Sequence, residues 1–172
     1  MAILIDSSKK TTVGLDRIND FLHPVSVSKF NVNKALHTYL QTGLKTHKDQ
    51  AIFQALDEVD RSYCAKLDLI PTKIAEIQFD KQNTRAIASM QSHINPGNEV
   101  HFLLAGGLIL YFVLREGHQK LILQPGDRFF IPKNVEHWID FTVDEYLALA
   151  SYHSDSFDMF HSKIKYTNTH NQ

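Results

Sequence analysis

The distribution of apolar residues changes character at Pro71. Before it, apolar positions recur at three- and four-residue intervals, the repeat of a helix with one buried face. Between Lys48 and Leu67, the residues Ile52, Leu56, Val59, Tyr63 and Leu67 fall on one such stripe and predict a helix over that span. A shorter helix is predicted after Asn33, a residue type that caps free amides. It carries Leu36, Tyr39 and Leu40 and stops at Gly43, where a left-handed residue is wanted. Residues 1–32 show only a weak period-two pattern at Val25 and Val27, enough for a short edge strand.

Beyond Pro71 the pattern is that of strands. Runs from Lys73 to Phe79, Val100 to Ala105, Leu108 to Leu114, Lys120 to Leu123, Arg128 to Ile131, Glu136 to Phe141 and Glu145 to His153 are separated by turn signals. These are Gly106-Gly107, Glu116-Gly117, Gln124-Pro125-Gly126 and Pro132-Lys133-Asn134. Short strands at close, regular spacing predict an antiparallel sandwich or barrel. The run Leu108–Leu114 is apolar on both faces, so its outer face is expected to meet the N-terminal helices or another subunit, which allows a homodimer. The expected organisation is one domain over 1–172, with a helical portion 1–70, a β core 71–155 and a tail 156–172 whose polar end, Thr167 to Gln172, frays.

Composition narrows the function. A chain of 172 residues, 43% hydrophobic, can bury a core without disulfides. Its formal charge of -1 and pI near 6.8 give no electrostatic footprint for nucleic acid or anionic lipid, so a small-molecule partner is expected. The single cysteine, Cys64, permits no disulfide framework and is expected to pack as a small hydrophobe in a reducing compartment. Met1 to Asp6 has neither the basic start nor the length of a signal peptide or membrane span, and a cytoplasmic location is expected.

Chemistry concentrates in two stretches, Gln91 to His101 and Pro132 to Trp138. Residues two apart on a strand share a face, so His93 pairs with Asn95 and Glu99 with His101, the pairs being separated by Pro96-Gly97. One bend would aim both pairs inward. His137 shares its face with Ile139 and Phe141, while Trp138 points the other way; His153 shares the apolar face of Leu147 and Leu149. Two imidazoles and a carboxylate converging in a barrel form a facial triad that leaves metal positions open, as in non-haem Fe(II) oxygen chemistry. Zinc fits the same donors, although one cysteine argues against a closed structural zinc site.

These residues carry a family resemblance. His93-x-Asn95-x3-Glu99-x6-Gly106 is similar to the first cupin motif, and Gly126-x5-Pro132-x-Asn134-x2-His137 to the second, with Asn134 where glycine is usual. Within the cupins, Glu99-Val100-His101-Phe102, Gly106-Gly107, Pro125-Gly126-Asp127 and Pro132-x3-Glu136-His137-Trp138 most resemble the acireductone dioxygenase family. The resemblance implies a jelly-roll (double-stranded β-helix) barrel with helices packed outside. It implies an Fe(II) or Ni(II) enzyme, zinc or manganese also being compatible, that cleaves an aci-reductone with O2 in methionine salvage. It carries His93, Glu99 and His137 over as ligands. Asn95 stands where the family has a second histidine and is a candidate amide ligand. His101 and Ala150 stand where it has arginines, and Ile139 where it has phenylalanine. His101, Ile139 and His153 are therefore the candidate catalytic or substrate-binding residues. Two other classes stay open: a Lewis-acid isomerase or lyase, and a non-catalytic small-molecule binder with a degenerate metal site.

Overall fold

A computed structural model describes residues 2–78, 91–114, 117–141 and 146–154. Two antiparallel sheets face one another across an apolar core, giving the mainly β class expected. The chain begins with β1 (Ile3–Ile5), β2 (Thr11–Val13), α1 (Leu15–Leu22) and β3 (Ser26–Lys29). It continues through α2 (Lys34–Thr42), α3 (Asp49–Ala55), α4 (Glu58–Lys66) and β4 (Leu69–Gln78). The remaining strands are β5 (His93–Ile94), β6 (Glu99–Gly106), β7 (Leu108–Leu114), β8 (Gly117–Leu123), β9 (Asp127–Ile131), β10 (Glu136–Phe141) and β11 (Tyr146–Ser154). One sheet has the order β2-β1-β8-β7-β10-β5 and the other β3-β9-β6-β11-β4. Consecutive strands β8 to β11 alternate between the sheets, so residues distant in sequence line one interior. Phe79, Glu116, Glu145 and the tail 156–172 lie outside the described residues.

Period-two alternation explains both cores. Leu108, Leu110, Phe112, Leu121 and Leu123 point inward from one sheet to meet Leu103, Phe129, Ile131, Leu147 and Leu149 of the other. The alternate residues of β6 and β11, Val100, Phe102, Leu104, Ala148, Ala150 and Tyr152, face outward against Leu36, Ile52, Phe53, Leu56 and Cys64 of the helical layer. Cys64 is a buried hydrophobe as expected, and burial pushes its thiol up to about 12. Arg128 fastens this layer: it donates to Asp60 of α4 at 2.7 Å and to Ser28 at 2.9 Å, and lies 3.9 Å over the Tyr63 ring. Burial raises the Asp60 pKa despite that guanidinium, so the pair is a charge contact removed from water on both sides.

Several expectations need correction. The helix expected over Lys48–Leu67 is two helices broken at Leu56, whose ψ is 144°. The Asn33 side chain that caps α2 by accepting from Leu36 N–H at 3.1 Å also donates to the Ala55 carbonyl at 2.7 Å. It thereby takes up a carbonyl that a continuing helix would need, and Val59 of the expected stripe is left 79% exposed. The strand after the helices begins at Leu69, ahead of Pro71, which an edge strand tolerates because its N–H side has no partner. The N-terminal portion is more than helical, since β1 pairs with β8 and the expected edge strand at Val27 is β3, paired with β9. The helices cover β6 and β11, leaving the outer face of β7 to its own sheet, where Tyr111 stacks on Trp138 at 5.2 Å.

Two glycines are required for different reasons. Gly126, at φ +87°, is the third residue of a turn closed by Asp127 N–H donating to the Gln124 carbonyl at 2.9 Å, and a Cβ there meets only ordinary contact. Gly106, at φ +77°, lets the chain pass from β6 to β7; a Cβ there would lie 2.0 Å from the Tyr146 carbonyl oxygen. Gly126→Ala is expected to cost about 1–2 kcal/mol for its backbone conformation alone. Gly106→Ala adds a backbone clash and is expected to cost more than about 3 kcal/mol. Urea denaturation of the two variants checks this, and a reversed order would refute it.

Candidate metal centre

The two motif stretches are closed on one another by backbone and side-chain hydrogen bonds. Asn134 N–H donates to the Asn95 carbonyl at 2.9 Å, Lys133 N–H to the Asn98 side chain at 2.9 Å, and Ser92 Oγ to Glu136 at 2.5 Å. Asn134 has φ 65°, a left-handed conformation that asparagine tolerates in place of glycine. Antiparallel pairing then sets His93 opposite His137, bringing their rings within 4.4 Å. In the facing sheet Glu99 stands opposite His153, and His101 opposite Ser151 and Phe129.

Glu99 is the hub, 3% exposed. Its Oε2 lies 2.9 Å from His101 Nε2 and 3.7 Å from His153 Nε2, and its Oε1 lies 3.8 Å from His137 Nε2. The Asn95 amide nitrogen donates to Oε1, so in this arrangement the side chain orients the carboxylate. His137 Nδ1 donates to the Val135 carbonyl at 2.9 Å, and His93 Nδ1 to the Gln91 carbonyl at 2.9 Å. A carbonyl only accepts, so Nδ1 carries the proton in both, and in a neutral ring so held Nε2 presents a lone pair. His101 Nδ1 is 2.8 Å from Ser151 Oγ, and its ring stacks on Phe129 at 5.0 Å. Ile139, half-buried, packs against the interior core beside Leu110, its cross-strand partner.

Among the described residues, one group of three metal-type side chains has all its donor atoms within 4.8 Å of one another: Glu99, His101 and His153. His93 and His137 form a second imidazole pair beside the opposite oxygen of the same carboxylate. Sequence parity placed His101 and His153 in the interior but did not join them to Glu99 as a set. Ser151 was missed altogether, because its contact with His101 exists only through the β6–β11 register. Lys73 was missed too: half-buried on β4 opposite Ser151, it is close enough for its charge to act on His153.

Burial alone would raise the Glu99 pKa, but the His101 hydrogen bond and the nearby imidazoles overcome it and hold the carboxyl at about 2. Burial depresses His137 to about 4 against the pull of Glu99. Burial and the neighbouring His101 likewise depress His153 to about 4. At neutral pH His137 and His153 are uncharged, so the neighbouring His101, through its hydrogen bond first, is the largest influence that keeps the carboxylate ionised. Neutral imidazoles beside a carboxylate are the protonation states that metal ligands need.

Two facing antiparallel sheets carry this donor set on their inner faces. The sequence matches no protein-family model and no curated protein. In three dimensions the chain is similar to the acireductone dioxygenase of Bacillus anthracis, solved with a cadmium ion in its active centre. The TM-score is 0.70 at 17% identity, covering 90% of this chain and 92% of that one. Partial overlaps include an oxalate decarboxylase variant of Bacillus subtilis (TM-score 0.37, 18% identity, 40% of this chain and 19% of that one). Another is the hydroxypropylphosphonic acid epoxidase of S. wedmorenis (0.38, 18%, 49% and 43%). The fold is thus a cupin fold resembling that of acireductone dioxygenase.

The shifts set a pH dependence of stability. His137 and His153 titrate lower in the folded chain, at about 4, than the 6.5 of a free imidazole, so the unfolded chain binds more protons between those values. Stability falls as pH drops through that window. Glu99, depressed from 4.5 to about 2, extends the loss in the same direction. Metal-free protein is expected to show its denaturation midpoint dropping from pH 6.5 to pH 4, a slope that His153→Gln reduces; a flat profile would contradict the assignment.

Proposed function

We propose that the chain is a metal-dependent cupin dioxygenase that uses O2 to cleave an enediol or 1,2-dicarbonyl small molecule, with acireductone the first substrate to test. The observation that carries this reading is the buried Glu99 carboxylate with three imidazole Nε2 atoms at 2.9, 3.7 and 3.8 Å. Ligand atoms on a metal with bonds of about 2.1 Å lie about 3.0 Å apart at right angles and about 3.4 Å apart at the tetrahedral angle. The His101 separation from Oε2 matches the right-angle value, while His153 at Oε2 and His137 at Oε1 stand about 0.3–0.4 Å beyond the tetrahedral one. Nitrogen and oxygen donors of the type a first-row dication takes would therefore have to draw in slightly around it.

The sequence motifs nominate His93, Glu99 and His137 to hold it, and Glu99 belongs to any set the geometry supports. When bound, Fe(II) or Ni(II) would supply Lewis acidity toward two adjacent substrate oxygens and a redox route to O2. The protein's own contributions follow from position. Asn95 holds the carboxylate in one orientation, and Ser151 and the Phe129 face hold His101. Ile139 and Leu110 form an apolar wall that limits water. Lys73 brings a cation to this end of the interior, where the family arginines are replaced by His101 and Ala150, and would favour an anionic substrate.

Protein purified without chelator is expected to carry about one dication per chain, with metal affinity and O2-dependent turnover of an aci-reductone both falling at least about 100-fold in Glu99→Gln. Anaerobic incubation followed by O2 addition distinguishes reaction classes. Turnover that proceeds equally without O2 would replace this reading with a Lewis-acid isomerase or lyase, and metal-free protein that still binds the small molecule would replace it with a binding module.

A further inference from the structure

We infer that the metal centre of this chain is built on Glu99, His101 and His153, displaced across the carboxylate from the His93 side to which its motifs point. The inference rests on the metal-dependent reading above and specifies its ligands. Four observations carry it.

The first is how the carboxylate is shared. Asn95 donates its amide to Oε1, while Oε2 faces His101 Nε2 at 2.9 Å and His153 Nε2 at 3.7 Å. Oε2 is thus the oxygen with two imidazole nitrogens beside it, whereas His137 Nε2 lies 3.8 Å from Oε1. The second is compactness: among the described residues only these three metal-type side chains bring one donor atom each within 4.8 Å of the others.

The third is the support behind the donors. Metal-binding histidines use their second ring nitrogen in a hydrogen bond that fixes tautomer and orientation. His101 Nδ1 has Ser151 Oγ at 2.8 Å, and a hydroxyl can donate or accept. Without metal, Nε2–H donates to Glu99 and Ser151 donates to Nδ1. With metal on Nε2, the ring proton resides on Nδ1 and Ser151 accepts it. His101 also lies flat on Phe129, at 29° between ring planes.

The fourth is the exchange of residues between the two sides of Glu99. Asparagine at 95 removes an imidazole from the His93 side, and histidine at 101 adds one on the other. His93 sits on a two-residue strand at the edge of its sheet, half-buried, with its ring packed on His137. His101 and His153 come from adjacent strands in the middle of the five-stranded sheet, braced from outside by the helical layer. His137, 3.8 Å from Oε1, lies on the boundary and is available as a fourth donor.

The test uses the full chain, stripped of metal and titrated with Co(II) alone, reading stoichiometry, affinity and the ligand-field absorption spectrum. His101→Ala and His153→Ala are expected to weaken Co(II) binding at least about 100-fold, Ser151→Ala about 10-fold, and His93→Ala less than about threefold with an unchanged spectrum. His101→Gln and His153→Gln replace any alanine variant that fails to fold. Loss of Co(II) in His93→Ala, with retention in the His101 and His153 variants, would overturn the inference, as would equal loss in all three. Wild-type protein that binds none of Co(II), Fe(II) and Ni(II) would instead remove the metal-dependent reading beneath it.

Discussion

The buried carboxylate of Glu99 organises the interior. An ion of this size taken out of water carries a penalty of at least several kcal/mol unless hydrogen bonds or an opposite charge offset it, and nothing in an apolar sandwich of leucine and phenylalanine does so by default. The chain meets this locally. Asn95 reaches one oxygen, His101 the other, and His137 and His153 stand just beyond hydrogen-bond distance. Since the last two imidazoles are neutral at physiological pH, they bring no counter-charge to the carboxylate.

The same strands that carry the donors carry the attachment of the helices. On β6, Glu99 and His101 face inward while Val100 and Phe102 face outward; on β11, Ser151 and His153 alternate with Ala150 and Tyr152. Each of these four inward positions is therefore backed, one residue away, by a side chain locked into the helical layer. Arg128 strengthens that attachment through Asp60, Ser28 and Tyr63. Donor geometry held to a fraction of an ångström requires rigid elements behind it, and β6 and β11 are each paired on both sides within their sheet.

How much of this was legible beforehand depends on whether the signal was local. Strands after Pro71 were readable because glycine, proline and asparagine mark their ends, and the motif spacing pointed to a cupin because its residues fall within short segments. Asn33 and Gly43 marked the ends of α2 correctly. The single helix expected over Lys48–Leu67 failed because Asn33, far away in sequence, takes the Ala55 carbonyl. Strands β1 and β2 escaped notice because three residues are too few to show a period, and their pairing with β8 is what makes them strands. Similarly, Leu108–Leu114 announced a need for cover on its outer side, but not that Trp138 of the neighbouring strand would contribute to it.

At the candidate centre the division is the same. Parity along a strand is a local property of the backbone, so the sequence by itself determined that Glu99 and His101 share a face, that Trp138 points away from His137, and that His153 lies with Leu147 and Leu149. Which strand lies across from which, and at what offset, is set by pairing between distant segments. Glu99 comes opposite His153 only after the β6–β11 ladder shifts register between Ala148 and Leu149. One residue of slip reverses which side chains face inward, and no local pattern records where a bulge will fall. The tertiary structure alone therefore decided that the imidazoles gathered at Glu99 Oε2 belong to His101 and His153.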